Sequence, residues 1–278
     1  MEETINWVTV VVNHLLGRPA TALLAALHIQ PSNPAYPIPT HVSMEFFVFL
    51  IAAIFFIWLK QRISVDRPGA TQQCMEMILT NSMGVGIQDL IDDNIGHDGE
   101  KYLPLLGSIG IFILFCNLIS VVPTLVSPTA TISVPLGCAI IVFVYYNWTG
   151  LVKHGPLGYG KRFFGPKMPM PPPMNWVIAG IMFVIETFSH AARLLSLTVR
   201  LWANMFASEL LYALFLGLLL DLFLFAGKLN AAGNITAILP LGIPVLFVAL
   251  HIFVAVLQAF VFTVLPIVYV GGAVGEEH

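Results

Sequence analysis

The sequence has 278 residues, of which 58% are hydrophobic and 10% are charged, with a formal net charge of -3. A soluble domain averages about 25% charged residues, so this composition and the mean hydropathy of +0.87 exclude an ordinary soluble domain. The sequence contains no run of basic residues that would indicate a nucleic-acid partner. The three cysteines form no CxxC or Cys/His cluster, so we predict packing thiols and neither a disulfide framework nor a metal site.

The N-terminal segment, residues 1–40, is expected to lie at the outer surface or interface, ahead of a single membrane domain over residues 41–278. It has no basic stretch before an apolar run, so no cleavable secretory signal is predicted. The stretch from Ile5 to Leu27 mixes apolar residues with polar and basic ones, and we expect it to break at Pro19. This pattern is typical of an interfacial helix rather than of a span.

Five later segments are apolar enough to cross a bilayer, whose hydrocarbon core of about 30 Å takes roughly 20 residues. Their approximate bounds are residues 44–60, 102–123, 132–152, 176–225 and 235–271. The last two exceed the length of a perpendicular helix, so they must tilt, bend or lie partly along the membrane. Residues 72–90 are amphipathic and predict an interfacial helix. The fold class is therefore an all-α polytopic membrane protein with five crossings, two of them long C-terminal helices.

The Lys and Arg distribution predicts the orientation, because cytoplasmic loops carry an excess of both. With the N-terminus outside, eight basic residues fall in inner loops and only Arg18 and Lys228 fall on the outer side. Arg193 and Arg200 lie within the fourth long segment. We expect a cytoplasmic C-terminus and a bacterial inner membrane, since no transit peptide is seen; an organelle-encoded protein would lack one as well.

The stretch from Glu186 to Glu209 places polar side chains inside the fourth segment. At about 100° per residue, the polar side chains within about 40° of Arg200 are Glu186, Ser189, Arg193, Ser196 and Asn204. Glu209 is turned about 180° away from them. One helix is thus predicted to border two separate polar environments.

An arginine at the membrane centre costs about 2.5 to 3.5 kcal/mol on insertion scales. A static ion pair with Glu186 or another carboxylate would explain Arg200 without explaining the whole polar face. Arg193 could instead extend to the inner interface. Serine and asparagine on membrane helices are individually more often packing residues than ligands, so the argument depends on the face that they share.

The last segment carries His251 and Gln258, which are about 20° apart on the helix, and Tyr269 follows on the same face. A lone histidine in an apolar helix is usually a satisfied core group. Histidine also titrates near neutral pH and can pass protons, and Glu209 would be its natural partner on another helix. We therefore favour proton handling over packing. No Gly-rich phosphate loop precedes a helix, so nucleotide binding is not expected.

The run RLWANMFASE, from Arg200 to Glu209, resembles the RLFxNMxAGE/H signature of subunit a of the F-type ATP synthases. The segment from His251 to Tyr269 is similar to the closing LQAFIF…YL helix of that family. Shorter pieces that agree are Arg67-Pro68-Gly69, Glu76, Phe115-Cys116-Asn117-Leu118, Ser127-Pro128-Thr129 and Glu276-Glu277-His278. The resemblance covers the chain from about Met44 to the C-terminus.

This resemblance implies a stator subunit that holds two offset half-channels against a rotating ring of c subunits, beside peripheral-stalk b subunits and the rest of the F1Fo complex. The outer path would use Asn204, Glu209, His251 and Gln258, and the inner path Glu186 and Ser189. Arg200 would separate the two paths, because a guanidinium keeps its proton at any working pH. Such a subunit is not an enzyme on its own, needs no cofactor, and couples ion flow to rotary ATP synthesis.

The sequence leaves three features undecided, which are the outer entrance, the class of membrane protein and the transported ion. Asn117 is not followed by the acidic residue that some relatives carry, so the outer entrance is unassigned, with His41 and Glu45 as candidates. A secondary transporter with an arginine anion site would require inverted repeats and broken helices, which the sequence does not show. A scaffold with static ion pairs is the third class. The choice between H⁺ and Na⁺ depends on the partner ring.

Overall fold

A computed structural model describes residues 5–31, 33–64, 68–80, 86–122, 124–165, 172–228 and 238–275. Within these ranges the chain forms eight α-helices and no β-strand. The helices are α1 (Trp7–Ala26), α2 (Thr40–Arg62), α3 (Ala70–Leu79), α4 (Ile87–Ile95), α5 (Leu103–Leu118), α6 (Ser133–Arg162), α7 (Pro172–Lys228) and α8 (Ile238–Val274). Short 3-10 turns comprise His97–Tyr102, Ile119–Val121 and Pro128–Ala130. The all-α fold class is confirmed.

Six helical segments of the described chain are long and apolar enough to cross a membrane. Five of them correspond to the predicted spans, and the sixth is α1, so the predicted count of five is approximate. On α2 the side chains of Phe49 and Ile57 are 63% and 61% exposed. Large apolar side chains that point outward in this way suit a lipid environment, in which outward apolar surface carries no penalty.

Helix α1 continues through Pro19, so the predicted break there is wrong. Proline removes one N–H donor, and membrane helices tolerate this where neighbouring groups satisfy the freed carbonyl. The Asn13 amide holds the segment before α2: its Oδ1 accepts the Ile38 N–H at 2.9 Å and its Nδ2 donates to the Ile38 carbonyl at 3.0 Å. Val8 and Met44 pack in a buried cluster beside this contact.

The single amphipathic helix predicted over residues 72–90 is also wrong, because two helices occupy this region. Helix α3 ends before Thr80, a β-branched residue in extended conformation. Helix α4 begins after Gly86, whose N–H donates to the Asp89 carboxylate at 3.2 Å. Residues 81–85 of the predicted helix lie outside the described ranges. The error arose because Thr80 and Gly86 act as local helix boundaries within a continuous amphipathic pattern.

Helices α7 and α8 are long, as predicted, and α6 extends beyond its predicted end. Helix α6 contains Gly155 with φ of 71°, ahead of Pro156, so the helical path is interrupted close to the predicted end at Val152; glycine adopts a positive φ without steric cost. Helix α7 has 57 residues and a length of about 85 Å, far more than one perpendicular crossing needs. Helix α8 has 37 residues.

The chain forms two compact units. Unit 1 comprises Met1–Arg62, Ile111–Val134 and Leu201–Phe260, and unit 2 comprises Ile63–Gly110, Pro135–Arg200 and Val261–His278. Helices α5, α6, α7 and α8 contribute residues to both. The predicted division into residues 1–40 and one membrane domain over residues 41–278 stays a prediction.

Gly110 of α5 marks a close helix approach in unit 2, because a Cβ placed there would collide with the Thr263 side chain of α8. We therefore expect Gly110→Ala to destabilise the protein by about 1 to 3 kcal/mol through overpacking. The measurement is the thermal midpoint of the detergent-solubilised complex.

The matched control is Gly107→Ala on the same helix, where an added Cβ has no neighbour within 4 Å. This substitution should leave the midpoint unchanged or raise it slightly, because alanine is the better helix former. Equal effects of the two substitutions would contradict the assigned packing.

Candidate functional site

Arg200 presents its guanidinium at the exposed surface of α7. Its Nη2 donates to Ser196 Oγ at 3.3 Å, one turn earlier on the helix. Among the described residues no carboxylate lies within ion-pair distance of this guanidinium. The alternative of a static pair with Glu186 is therefore not observed, since the Glu186 carboxylate contacts His190 and Arg193 instead.

In unit 1, Asn204 of α7 and Gln258 of α8 form a direct hydrogen bond, with Asn204 Nδ2 donating to Gln258 Oε1 at 2.9 Å. Gln258 is only 1% exposed. Its Nε2 is buried and has no hydrogen-bond partner within the described part of the chain. A buried amide donor left unpaired costs about 1 to 3 kcal/mol, so this group is available to a water molecule or to a ligand.

The His251 imidazole in unit 1 is held between two serines. Its Nε2 lies 2.8 Å from Ser120 Oγ, and its Nδ1 lies 2.9 Å from Ser208 Oγ. The expectation that Glu209 is its direct partner is wrong, because both ring nitrogens are occupied by hydroxyl groups. A hydroxyl can donate or accept, so these two contacts suit either tautomer of the ring.

Glu209 accepts its hydrogen bond from the backbone of the segment between α5 and α6. The Ser127 N–H donates to Glu209 Oε1 at 2.6 Å. The Ser127 hydroxyl lies 2.6 Å from Thr129 Oγ1, which donates to Asn117 Oδ1 at 2.6 Å. These contacts tie Glu209 of α7 to the residues that follow α5.

Asn117 joins these two groups of contacts. Its backbone carbonyl accepts from Ser120 Oγ at 3.0 Å, and its Nδ2 donates to the Ala255 carbonyl of α8 at 3.3 Å. A series of hydrogen bonds through hydroxyl, side-chain amide and backbone groups therefore extends from Glu209 to His251 within unit 1. We call it the unit 1 polar chain, and its members are Glu209, Ser127, Thr129, Asn117, Ser120, His251 and Ser208.

Sequence reasoning did not identify Ser120, Ser127, Thr129 or Ser208 as site residues. Asn117 and the Ser127-Pro128-Thr129 run were noted only for their resemblance to a family. Small hydroxyl residues in apolar segments carry a weak signal, because they also pack helices together. Their contacts depend on the packing of residues 111–122 and 124–134 against α7 and α8 within unit 1.

Unit 2 contains a second polar cluster, built on Glu186. Glu186 Oε1 lies 3.4 Å from His190 Nε2 and 3.9 Å from Arg193 Nη2. The Arg193 guanidinium also lies over the Tyr269 ring, 5.3 Å from its centroid. Glu186, His190 and Arg193 border a cavity of about 90 Å³. Ser189 is partly exposed on α7 and is not a lining residue of this cavity.

The comparisons with known proteins all indicate the same family. The family described as ATP synthase A chain matches residues 42–271. The chain is 37% identical over 272 residues to ATP synthase subunit a of Koribacter versatilis, covering 98% of each chain. It is 40% identical over 266 residues to subunit a of Solibacter usitatus, covering 96% of this chain and 99% of the relative.

A third relative, ATP synthase subunit a 3 of Pelobacter propionicus, is 33% identical over 258 residues, which cover 92% of this chain and 94% of the relative. The resemblance seen in the RLWANMFASE run thus extends over almost the whole sequence. The chain belongs to the family of subunit a of the ATP synthase, a multi-pass membrane component of that complex.

Proposed function

We propose that this subunit conducts protons along two separate paths to and from the carboxylates of a c-subunit ring. The outer path includes Glu209 and His251, and the inner path includes Glu186. Arg200 keeps the two paths apart. Proton flow turns the ring and so drives ATP synthesis in the catalytic sector. The subunit is a stator without catalytic chemistry of its own.

The observation that carries this proposal is the exposed guanidinium of Arg200, which has no carboxylate partner among the described residues. A permanent charge inside a membrane is costly and is usually paired or functional. A carboxylate of a neighbouring subunit would supply the missing charge. Because the guanidinium does not release its proton, it can attract that carboxylate and still block proton transfer past itself.

The outer path is assigned to the unit 1 polar chain together with Asn204 and Gln258. Glu209 and His251 are its titratable groups, and the hydroxyl and amide groups between them order the water that carries protons from one to the other. The unpaired Gln258 Nε2 adds a donor beside Asn204. The entrance is proposed near the start of α2, where His41 and Glu45 are both partly buried.

The inner path is assigned to Glu186 and Ser189, with the adjoining cavity of unit 2. Glu186 keeps a side chain that is 34% exposed, so its carboxylate can exchange protons with water. The cavity has room for a few water molecules. Water beside a carboxylate is a suitable carrier for protons that leave toward the inner side.

The partners and the orientation follow from the same proposal. We place the c-subunit ring against the face of α7 that carries Arg200, with b subunits and the catalytic sector completing the complex. The excess of Lys and Arg in the predicted inner loops supports an outer N-terminus and a cytoplasmic C-terminus in a bacterial inner membrane. The transmembrane potential supplies the energy for rotation of the ring, since each charge that crosses 100 mV releases about 2.3 kcal/mol.

Replacement of Arg200 tests the central element. In membrane vesicles that contain the whole complex, we expect Arg200→Ala to reduce ATP-driven proton pumping below detection, because the charge that separates the paths is gone. We expect Arg200→Lys to retain only part of the rate, because lysine keeps the charge but not the planar donor fork. Acidification of the vesicle lumen reports pumping, and ATP hydrolysis reports assembly.

The matched control is Arg18→Ala, which removes an exposed arginine from α1. Pumping by this variant should equal that of the wild-type complex. Wild-type pumping by Arg200→Ala would contradict the proposal.

Glu209→Gln tests the outer path without removing the hydrogen bond that holds the side chain. The amide oxygen can still accept the Ser127 N–H, but the amide cannot carry a proton. We expect pumping to fall by about 100-fold, as for the loss of a proton-transfer group. Glu76→Gln is the control, since Glu76 is an exposed carboxylate of α3 that contacts Gln72. Similar rates for both variants would exclude Glu209 as a carrier.

A further inference from the structure

His190 of α7 occupies a closely fitted aromatic site in unit 2. Its ring stacks on Phe163, with centroids 4.9 Å apart and an interplanar angle of 24°. The same imidazole ring also lies nearly parallel to the Tyr146 ring, with centroids 5.7 Å apart and an interplanar angle of 20°. Tyr146 is only 1% exposed, so the surroundings fix the plane of the imidazole.

Both ring nitrogens of His190 have polar neighbours. Nδ1 lies 2.7 Å from the Tyr146 hydroxyl, and Nε2 lies 3.4 Å from Glu186 Oε1. A phenol can accept a hydrogen bond as well as donate one. When Nδ1–H donates to the Tyr146 oxygen, Nε2 carries no hydrogen and faces the carboxylate. The ring then presents an empty proton site beside Glu186.

The charged and titratable groups around His190 come from three helices. They are Tyr146, Tyr159 and Arg162 of α6, Glu186 and Arg193 of α7, and Tyr269 of α8. Two guanidinium groups and one carboxylate therefore border the cavity. The Arg162 guanidinium is held in place, since its Nη1 and Nη2 donate to the Ala273 and Gly275 carbonyls at 2.6 and 2.7 Å.

We propose that His190 is a second proton carrier of the inner path, acting directly after Glu186, and that Tyr146 is the residue that positions it. This inference rests on the proposed function, because it assigns to Glu186 a proton received from the ring side. It adds a carrier that the resemblance to the subunit a family did not point to.

The transfer balances in two steps. The Glu186 carboxylic acid gives its proton to His190 Nε2, so that the O–H bond breaks, an N–H bond forms, and a carboxylate and an imidazolium result. Water in the cavity then takes the proton from Nε2, which restores the neutral ring. Arg193 lies beside the carboxylate produced in the first step and stabilises it.

The test compares His190→Gln, Tyr146→Phe and Tyr145→Phe in proteoliposomes that contain the complete complex. Tyr145 is the matched control, because it is the next residue on α6 and its ring contacts Tyr102 instead of His190. The pumping rate is measured while the pH on the side of the catalytic sector is varied. Each rate is divided by the ATP hydrolysis rate after detergent uncoupling, which removes the pH response of the catalytic sector.

We expect the wild-type complex and Tyr145→Phe to show an inflection between about pH 5 and pH 8, the range in which imidazole ordinarily changes charge. His190→Gln should lose this inflection. Tyr146→Phe should retain it at a displaced midpoint, because the ring remains but its hydroxyl partner is gone. A merely structural role for His190 would lower the rate at every pH and leave the shape of the profile unchanged.

A Glu186→Gln variant separates this inference from the proposed function. If Glu186→Gln lowers pumping and His190→Gln keeps the wild-type profile, the role of His190 is overturned and the inner path stands. If Glu186→Gln pumps at the wild-type rate, the assignment of the inner path itself fails. An unaltered midpoint in Tyr146→Phe would overturn the positioning role of Tyr146.

Discussion

The helices of this chain cross a medium that offers no hydrogen bonds, so their polar side chains must find partners within the protein or in enclosed water. This constraint accounts for many of the contacts described. The Asn13 amide satisfies both backbone groups of Ile38, and the serine hydroxyls satisfy both nitrogens of His251. Polar groups that satisfy one another in series form a connected chain, and the apolar surroundings keep that chain apart from other polar groups.

Arg200 departs from this pattern. Its described contact is with the Ser196 hydroxyl, although a charge needs a partner more than any neutral group does. Glu186, by contrast, has two cationic or titratable neighbours. Under the proposed function, the opposite charge that the described residues do not supply comes from a carboxylate of the c-subunit ring.

The sequence was sufficient for the features that depend on local chemistry. The positions of the five predicted spans and the great length of α7 follow from long apolar stretches in the sequence. The partner of His251 could not be predicted, because the hydroxyl of Ser120 reaches it only when α5 packs beside α8. The prediction of one helix over residues 72–90 was wrong for a local reason, because Thr80 and Gly86 end and begin helices within a continuous amphipathic pattern.

Under the proposed function, the unit 1 polar chain holds two titratable groups, Glu209 and His251. A carboxylate and an imidazole can each take up a proton and release it again, so neither group fixes a direction of transfer. The same two side chains then serve whether the membrane gradient drives ATP synthesis or the nucleotide pool drives ATP hydrolysis.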